Sequence, residues 1–251
     1  MPATPATPPP VAPAPSPTAP YAAPDARDVR LRAPLATALT VLFALVIASD
    51  VCILYADWNL HSLMERVLAD STAVSDAELD RGTRLTGLAA TLQGNAVIVT
   101  GIVFIVWFHR VRTNAEAFAP GADKLKTGWA IGAWFIPFAN LWLPYRIAVT
   151  TWGSSTPSAA DGGHRRFPLT LVNLWWGLFV LSKLLGWYGG RAYSSAESAE
   201  AVRDAALTML AGDAFDLVAA VLAVLFVRRL TAMQHARAAQ GPAAAAVGQR
   251  L

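Results

Sequence analysis

Four long apolar stretches, separated by polar segments, dominate the 251-residue chain. They lie at residues 33–56, 85–108, 167–188 and 205–227. Each exceeds the roughly 20 residues that a helix needs to cross a hydrocarbon core about 30 Å thick. Helices in water-soluble domains are shorter, about 12 residues on average, and amphipathic. The pattern therefore predicts an all-α fold, a polytopic transmembrane helix bundle.

A fifth apolar stretch, residues 129–145, is interrupted and reads WAIGAWFIPFANLWLPY. Each of its two prolines removes a backbone donor and clashes with the preceding helical turn. Unpaired backbone groups are costly in lipid, so such backbone occurs only where protein or trapped water covers it. We therefore expect four full spans plus a re-entrant or interfacial element, or else a kinked fifth span. This broken-helix motif comprises Trp129, Gly132, Trp134, Phe135, Pro137, Asn140, Pro144 and Arg146.

The distribution of Lys and Arg separates these two topologies, because cytoplasmic loops are enriched in both residues. If the interrupted stretch crosses the membrane, nine basic residues fall on each side. If it returns to the side it left, fourteen fall on one side and five on the other. The sequence thus favours four spans with both termini in the cytoplasm and keeps five spans as the alternative.

The transmembrane domain is expected over residues 33–230, between two segments that cannot bury a core. Residues 1–32 form a Pro/Ala-rich arm, and ten of the 17 prolines lie within its first 24 positions. This composition predicts a disordered, polyproline-biased cytoplasmic arm. The arm is either a solvated tail or a docking segment for the aromatic groove of a partner protein. A second disordered tail is expected over residues 231–251.

The longest predicted loop spans residues 57–84 and carries six acidic residues against three arginines. Within it, residues 60–69 have the spacing of a short amphipathic helix. We expect that helix to lie on the membrane surface.

The composition agrees with a membrane protein and gives no indication of a nucleic-acid partner. Only 15% of the residues are charged, 55% are hydrophobic, and the mean hydropathy is +0.41. A typical soluble domain carries about 25% charged residues. The net charge is +3, but the basic residues cluster beside the apolar stretches, as orientation determinants do. The lipid bilayer is therefore the expected partner.

Residue types that support catalysis or metal binding are scattered. Cys52 is the single cysteine, so an internal disulfide is excluded. The four histidines, at positions 61, 109, 164 and 235, share no metal-ligand spacing. The sequence also lacks a Gly-rich phosphate loop and a Ser-His-Asp pattern. We therefore expect no metal, no cofactor and no enzymatic activity.

Charged residues inside the apolar stretches are the best candidates for a functional site. Asp213 and Asp216 lie three apart, on one face of the last helix. Two ionised, unpaired carboxylates near the bilayer centre cost about 5–7 kcal/mol, so they should be protonated, hydrated or paired. In the four-span topology Asp50, Lys183 and Asp213 lie about 8–12 Å below the outer ends of their helices, at 1.5 Å per residue. The four side chains can then form one cluster, either an ion or proton site or a polar lock between helices.

Small residues offer a further packing prediction. Gly128 and Gly132 form a GxxxG pattern, as do Gly186 and Gly190. Such patterns allow close approach of two helices in a membrane. In a chain rich in Ala and Gly, chance explains them equally well.

In the run from residue 104 to residue 146, Trp107, Arg110 and Asn114 come shortly before the broken-helix motif. This combination resembles an actinobacterial membrane family, domain of unknown function 4328. The resemblance extends over roughly residues 35–235 and excludes both tails. It implies several transmembrane helices and a bacterial cell membrane, and it adds no catalytic residues. The matching positions are Trp107, Arg110, Asn114, Trp129, Gly132, Trp134, Phe135, Pro137, Asn140 and Pro144.

Two functions remain open on these grounds. The first is a non-enzymatic scaffold or regulator at the bacterial cell membrane, whose arm and broken-helix motif engage a cytoplasmic protein or lipid headgroups. The second is a small channel or transporter in which Asn140, the backbone near Pro137 and the Lys–Asp cluster line a polar path. Interrupted helices at membrane depth are typical of transport sites.

Overall fold

The computed structural model describes residues 33–157 and 168–240 of the chain. Four of its helices are long and apolar enough to cross a membrane, and no strand occurs in the described ranges. The predicted all-α bundle with four spans is therefore confirmed. In chain order the helices are α1 (Ala33–Ala69), α2 (Asp76–Phe118), α3 (Trp129–Gly132), α4 (Leu143–Ser154), α5 (Thr170–Ser194) and α6 (Ala199–Ala239), with a short 3-10 helix (Ala139–Leu141) before α4.

The four spans are α1, α2, α5 and α6, and α6 lies between two of the others. It packs along both α1 and α5, while α2 packs along α1. The turns that join α1 to α2 and α5 to α6 meet at one end of the bundle, here called the hairpin end. The opposite end, where α1 and α5 begin and α2 and α6 end, is called the basic end, because arginines follow the apolar stretches of α2 and α6 there.

The hairpin end projects beyond the apolar stretches, so the predicted loop over residues 57–84 is wrong. α1 continues without a break to Ala69, and α2 begins at Asp76. The expected surface helix over residues 60–69 is instead the last part of α1, because its apolar face is buried against the bundle rather than against lipid. The small core at this end consists of Leu60, Leu63, Met64, Val74 and Ala206.

The turn between α1 and α2 is closed by side-chain hydrogen bonds. The Ser75 hydroxyl accepts from the Glu78 N–H, and the Glu78 carboxylate accepts from the Ser75 N–H, which forms a capping box at the start of α2. The Asp70 carboxylate accepts from the backbone N–H and the hydroxyl of Thr72 at 2.9 and 2.7 Å. These two bonds stabilise the ionised form and lower the pKa of Asp70.

The last span also runs further than its sequence indicated. A disordered tail was predicted from residue 231, but α6 continues to Ala239, so that boundary was wrong. Gln234 explains the extension, since it is buried and bonds to Asn114, Ser155 and the Val111 carbonyl. The predicted tail beyond residue 240 and the arm over residues 1–32 lie outside the described residues.

The broken-helix motif leaves the basic end and returns to it. On the way in, the Leu125 carbonyl accepts a hydrogen bond from Arg112, near the end of α2, at 3.1 Å. On the way out, the Ser155 hydroxyl accepts from Gln234, near the end of α6, at 2.9 Å. Both ends of the motif therefore lie at the same level of the bundle. The re-entrant alternative is confirmed, and the five-span alternative is wrong.

Between these two points the element reaches well into the bundle. The Trp134 ring packs edge-on against Phe104. At 1.5 Å per residue, Phe104 lies about 12 Å further from the basic end of α2 than Arg112 does. The Leu141 carbonyl accepts from the indole N–H of Trp176 at 3.0 Å, inside the third span. The element therefore reaches into the bundle rather than lying across its basic end.

An aromatic core fills the bundle around the re-entrant element. The rings of Trp175 and Phe226 stack at 4.7 Å, and Trp152 stacks on the same Phe226 at 5.8 Å. Phe104 connects this stack to Trp134 of the re-entrant element. Such pairs contribute about 0.5–1.5 kcal/mol beyond the area they bury. The core separates the polar interior of the hairpin half from the basic end.

Candidate functional site

Two carboxylates from different spans share one amide in the hairpin half of the bundle. Gln93 on α2 donates from its side-chain nitrogen to Asp50 Oδ1 on α1 at 2.9 Å and to Asp213 Oδ1 on α6 at 3.1 Å. Asp50 is fully buried and Asp213 is partly buried. The amide therefore joins three spans through two carboxyl groups.

A third carboxylate lies against the same group. Asp57 on α1 is fully buried, and its carboxyl group lies close to that of Asp213. No donor in the described residues reaches either oxygen of Asp57. A carboxylate only accepts, so this contact becomes a hydrogen bond when one of the two groups carries a proton. Asp50, Gln93, Asp57 and Asp213 are called the carboxylate network below.

The other two predicted residues form a direct ion pair beside this network. Lys183 on α5 lies 2.8 Å from both carboxylate oxygens of Asp216 on α6. The Ser182 hydroxyl donates to the same carboxylate at 3.0 Å, and the ammonium lies 5.6 Å from the Phe179 ring centroid. Asp216 is buried, whereas the Lys183 side chain is 45% exposed. A buried carboxylate is thus neutralised by a cation at the bundle surface.

Close packing of α5 on α6 makes this pair possible. A Cβ at Gly212 would lie 3.1 Å from the Gly186 backbone nitrogen and 3.2 Å from Leu185 Cβ. A Cβ at Gly189 would meet Met209 at 2.8 Å. The two backbones touch one turn from Asp216, which brings the short aspartate within reach of α5.

The structure brings Asp50, Lys183, Asp213 and Asp216 into one half of the bundle, and it adds two residues that sequence reasoning missed. Gln93 was overlooked because it is uncharged, although it is a strongly polar residue inside an apolar stretch. Asp57 was assigned to a loop. Its spacing of seven from Asp50 places both on one helix face, and that spacing was the available indication.

Of the aromatic members of the broken-helix motif, Trp134 is the one that packs into the bundle interior. Its ring packs against Phe104, Phe108, Trp176 and Phe179. Trp129 and Phe135 are exposed, and a Cβ at Gly132 would meet no atom within 4 Å. Trp134 therefore anchors the motif in the bundle. Gly132 makes no close contact with another helix, so the packing predicted for it is not present.

The apex of the motif pairs its own backbone. The N–H groups of Ala139, Asn140 and Leu141 donate to carbonyls within the turn, at 2.7–3.0 Å. Phe138 adopts φ +63°, a conformation that is rare for a residue with a Cβ, and its side chain is 78% exposed. Pro137 and Asn140 are exposed there as well. Asn140 is therefore not part of the carboxylate network.

Pro144 and Arg146 belong to the returning helix. Pro144 lies in the first turn of α4, where a missing N–H costs no helical hydrogen bond. Arg146 lies 3.8 Å from Asp123, which belongs to the loop before the motif. Asp123 also accepts from Thr150 at 2.9 Å and lies 3.7 Å from the buried Arg112. One buried aspartate thus ties the incoming loop to α2 and α4.

A second polar group closes the basic end. The Gln234 side chain accepts from Asn114 at 2.8 Å and donates to the Val111 carbonyl and to Ser155 at 2.8 and 2.9 Å. Asn114 was identified from the family resemblance, and its role is to join α2 to α6. Arg110, identified in the same way, is exposed, and the buried arginine of this end is Arg112.

The carboxylate network holds carboxyl oxygens and one amide, and these groups can bind a proton or a monovalent cation. Within residues 33–157 and 168–240, no group of three or more His, Cys, Asp or Glu has an arrangement that could hold a metal ion.

A family model described as Domain of unknown function (DUF4328) matches residues 70–232, which is more than half of the chain. The resemblance read from the sequence is confirmed over this range. No curated protein and no solved structure matches the chain. The matched range contains Gln93, Lys183, Asp213 and Asp216, whereas Asp50 and Asp57 precede it.

Proposed function

We propose that this chain, which belongs to the family described as Domain of unknown function (DUF4328), is a non-enzymatic membrane regulator whose helix packing responds to protons. The observation that carries the proposal is the carboxylate network. Two carboxyl groups, one on α1 and one on α6, share the neutral amide of Gln93, and a third, Asp57, lies beside them without a donor among the described residues. Intramembrane ionisable residues are rare because they are costly, and they mark functional sites by default.

Protons are the ligand that this network lacks. Asp50 Oδ2 and both oxygens of Asp57 are buried without a donor among the described residues. Buried acceptors of this kind are nearly always satisfied in proteins, and a carboxylic proton supplies a donor where none exists. The charged neighbours are Asp213 and Asp216 on α6 and Lys183 on α5, and Lys183 is engaged by Asp216. Uptake of a proton therefore removes repulsion and adds a hydrogen bond.

The network holds three spans, so its charge should control their packing. When all three carboxyls are ionised, α1 and α6 repel each other across the Gln93 amide. When one proton is bound, the contact between Asp57 and Asp213 closes. The hairpin end, which joins these spans outside the apolar stretches, is the part that should respond.

Spin labels at the hairpin end test this proposal in the full chain. Thr72 and Ser195 are exposed in the two turns, and cysteines placed there in a Cys52→Ser background report the distance between the hairpins. In lipid nanodiscs we expect the distance distribution to lengthen or broaden from mildly acidic to mildly alkaline pH. Asp57→Asn, whose amide donates to Asp213 as a protonated carboxyl does, should keep the acidic distribution throughout.

Two control variants separate the network from other titrating groups. Asp80→Asn removes a carboxylate that is exposed at the same end, and the pH response should remain. His61→Gln removes the histidine that lies 3.3 Å from the Arg203 carbonyl, and the response should again remain. A wild-type distribution that ignores pH, or a response that survives in Asp57→Asn, contradicts the proposal.

The alternative function, a small channel or transporter with an intramembrane Lys/Asp site, has one specific observation in its favour. Carboxyl groups descend from Asp57 at the hairpin end to Asp216 deep in the bundle, beside an interrupted helix. The aromatic core below them opposes a continuous path. Proton flux into proteoliposomes would support transport if Asp213→Asn abolished that flux. A wild-type flux equal to that of empty vesicles would exclude the transport function.

The regulator proposal includes a location and a partner. We place the basic end in the cytoplasm of a bacterial cell, because it collects fourteen of the 20 Lys and Arg residues. The Pro-rich arm, residues 1–32, then extends into the cytoplasm, where a protein partner can bind it. Deleting residues 1–28 should abolish co-purification of that partner, and unchanged co-purification would count against a docking role.

A further inference from the structure

A cleft of about 190 Å³ opens in the middle of the bundle, next to the Lys183–Asp216 pair. Its floor is formed by buried residues of α1 and α6, such as Val46 and Ala220. Its rim is formed by half-buried residues of α2 and α5, such as Gly101 and Phe179. The pairs of spans that pack along their length do not include α2 with α5. The mouth therefore faces sideways, towards the acyl chains.

The polar atoms of the cleft without protein partners are hydrogen-bond donors. The Thr100 hydroxyl and the Trp134 indole N–H line the cleft, are buried, and have no partner in the described part of the chain. Lys183 carries three N–H bonds, and its protein acceptors are the two oxygens of Asp216. Buried donors without acceptors are rare in native proteins. A ligand that supplies acceptor oxygens would satisfy them.

The charge around the cleft favours a neutral ligand. Lys183 is already neutralised by Asp216, and three more carboxyl groups lie in the network above it. An anionic headgroup would meet this excess of carboxylates. An acyl chain, in turn, would leave the donors of Thr100 and Trp134 unpaired.

The walls favour a flat ring. Phe104, Trp134, Trp175 and Phe179 all line the cleft, and aromatic faces pair well with planar groups. An apolar cavity of about 150 Å³ is large enough to bind benzene. A cleft somewhat larger than that accommodates one substituted ring, with a tail leaving through the lateral mouth.

From these features we infer that the cleft binds a neutral, bilayer-soluble molecule whose flat ring carries carbonyl oxygens, a ligand of the quinone class. The ring lies between the aromatic walls, and its carbonyl oxygens accept from Thr100, Trp134 and Lys183. The molecule enters from the lipid between α2 and α5. This site does not depend on the proton response proposed above.

Binding of decylubiquinone to the full chain tests the inference. The protein is placed in nanodiscs of phosphatidylcholine and phosphatidylglycerol, and native mass spectrometry counts the fraction that carries one quinone as the quinone-to-lipid ratio rises. We expect saturable binding of a single molecule. Decylbenzene, which has the ring and tail without carbonyls, should not displace it.

Matched variants of α2 locate the site. A Cβ at Gly101 or at Gly94 meets no atom within 4 Å, so a leucine is tolerated at both, but only Gly101 lines the cleft. Gly101→Leu should abolish saturable binding, and Gly94→Leu should preserve it. Thr100→Val and Trp134→Phe each remove one donor and should weaken binding about three- to tenfold. Thr91→Val, which removes an exposed hydroxyl of the same helix, should leave it unchanged.

Three results would overturn the inference. The first is the absence of saturable binding to the wild-type chain. The second is equal binding by Gly101→Leu and Gly94→Leu, which would place the quinone elsewhere. The third is displacement by decylbenzene as effective as by the quinone itself, which would make the cleft a site for acyl chains.

Discussion

Asp123 shows how one side chain fixes a whole segment. Its carboxylate is almost completely buried and accepts from the Leu125 N–H at 3.0 Å and from Thr150 at 2.9 Å, while Arg112 and Arg146 lie beside it. Arg112 is itself 2% exposed. Removing the partner of a buried charge costs about 3–5 kcal/mol, far more than an exposed ion pair contributes.

We therefore predict that Asp123→Ala lowers the free energy of unfolding by about 3–5 kcal/mol, because Arg112 then keeps only the partly exposed Glu116 as a counter-ion and the Leu125 N–H loses its acceptor. Titration with SDS from mixed micelles measures the change. Asp80→Ala is the matched control, since that carboxylate is exposed, and its effect should stay within about 0.5 kcal/mol. Equal losses for the two variants would contradict this account.

Close packing of α5 on α6 depends on small residues. The GxxxG pattern in the sequence identified only some of them. Of the Gly186–Gly190 pattern, Gly186 does lie against α6, but a Cβ at Gly190 would meet no atom within 4 Å. The glycines that allow the contact are Gly189 and Gly212, because a Cβ at either position would meet atoms of the facing helix at 2.8–3.4 Å. A spacing rule identifies a helix face, but the partner helix decides which residues on that face are in contact.

For this helix pair we predict that Gly212→Val lowers the free energy of unfolding by about 1–3 kcal/mol, because the added atoms overlap α5. The same variant should weaken the contact between Lys183 and Asp216. Gly190→Val makes the same change of residue type at an open position and controls for helix propensity. SDS titration of both variants measures the difference. A loss of unfolding free energy that is no larger for Gly212→Val than for Gly190→Val would contradict this prediction.

For the molecule as a whole, the re-entrant element determines which segments share a side of the membrane. Ala122 and Thr156 flank the element at the basic end, whereas Thr72 and Ser195 lie in the two hairpin turns. A chain with four crossings places each pair on its own side. From the charge distribution we propose that the basic end faces the cytoplasm.

Labelling of single cysteines in intact cells tests this topology in a Cys52→Ser background. Thr72→Cys and Ser195→Cys should react with a membrane-impermeant maleimide from outside. Ala122→Cys and Thr156→Cys should react only after the cells are permeabilised. The reverse result would keep four spans and invert the orientation, and labelling of Ala122→Cys and Thr156→Cys from opposite sides would exclude the re-entrant element.

Much of the fold follows from local sequence. Runs of apolar residues longer than a bilayer crossing require spanning helices, whatever their neighbours are. Pro137 and Pro144 require a break, since no tertiary contact restores a missing N–H. The errors concern helix ends. Two segments, residues 57–69 and residues 231–239, carry enough polar residues to suggest a loop and a tail. Both are helical instead, because Leu63 in the first and Gln234 in the second are buried against other helices.

The candidate site divides in the same way between chain and fold. The sequence by itself placed Asp50, Lys183, Asp213 and Asp216 within apolar stretches long enough to span a membrane, because the position of a residue along a helix follows from its position in the chain. Only the tertiary structure decided which groups pair: Lys183 with Asp216, and Asp50 with Asp213 through Gln93. Pairing depends on the rotation and spacing of neighbouring helices, which are set by side chains remote from the charges, among them Gly212 and Trp134. A sequence pattern gives the position of a residue along its helix. The direction that the residue faces relative to another helix is defined only once the helices have packed.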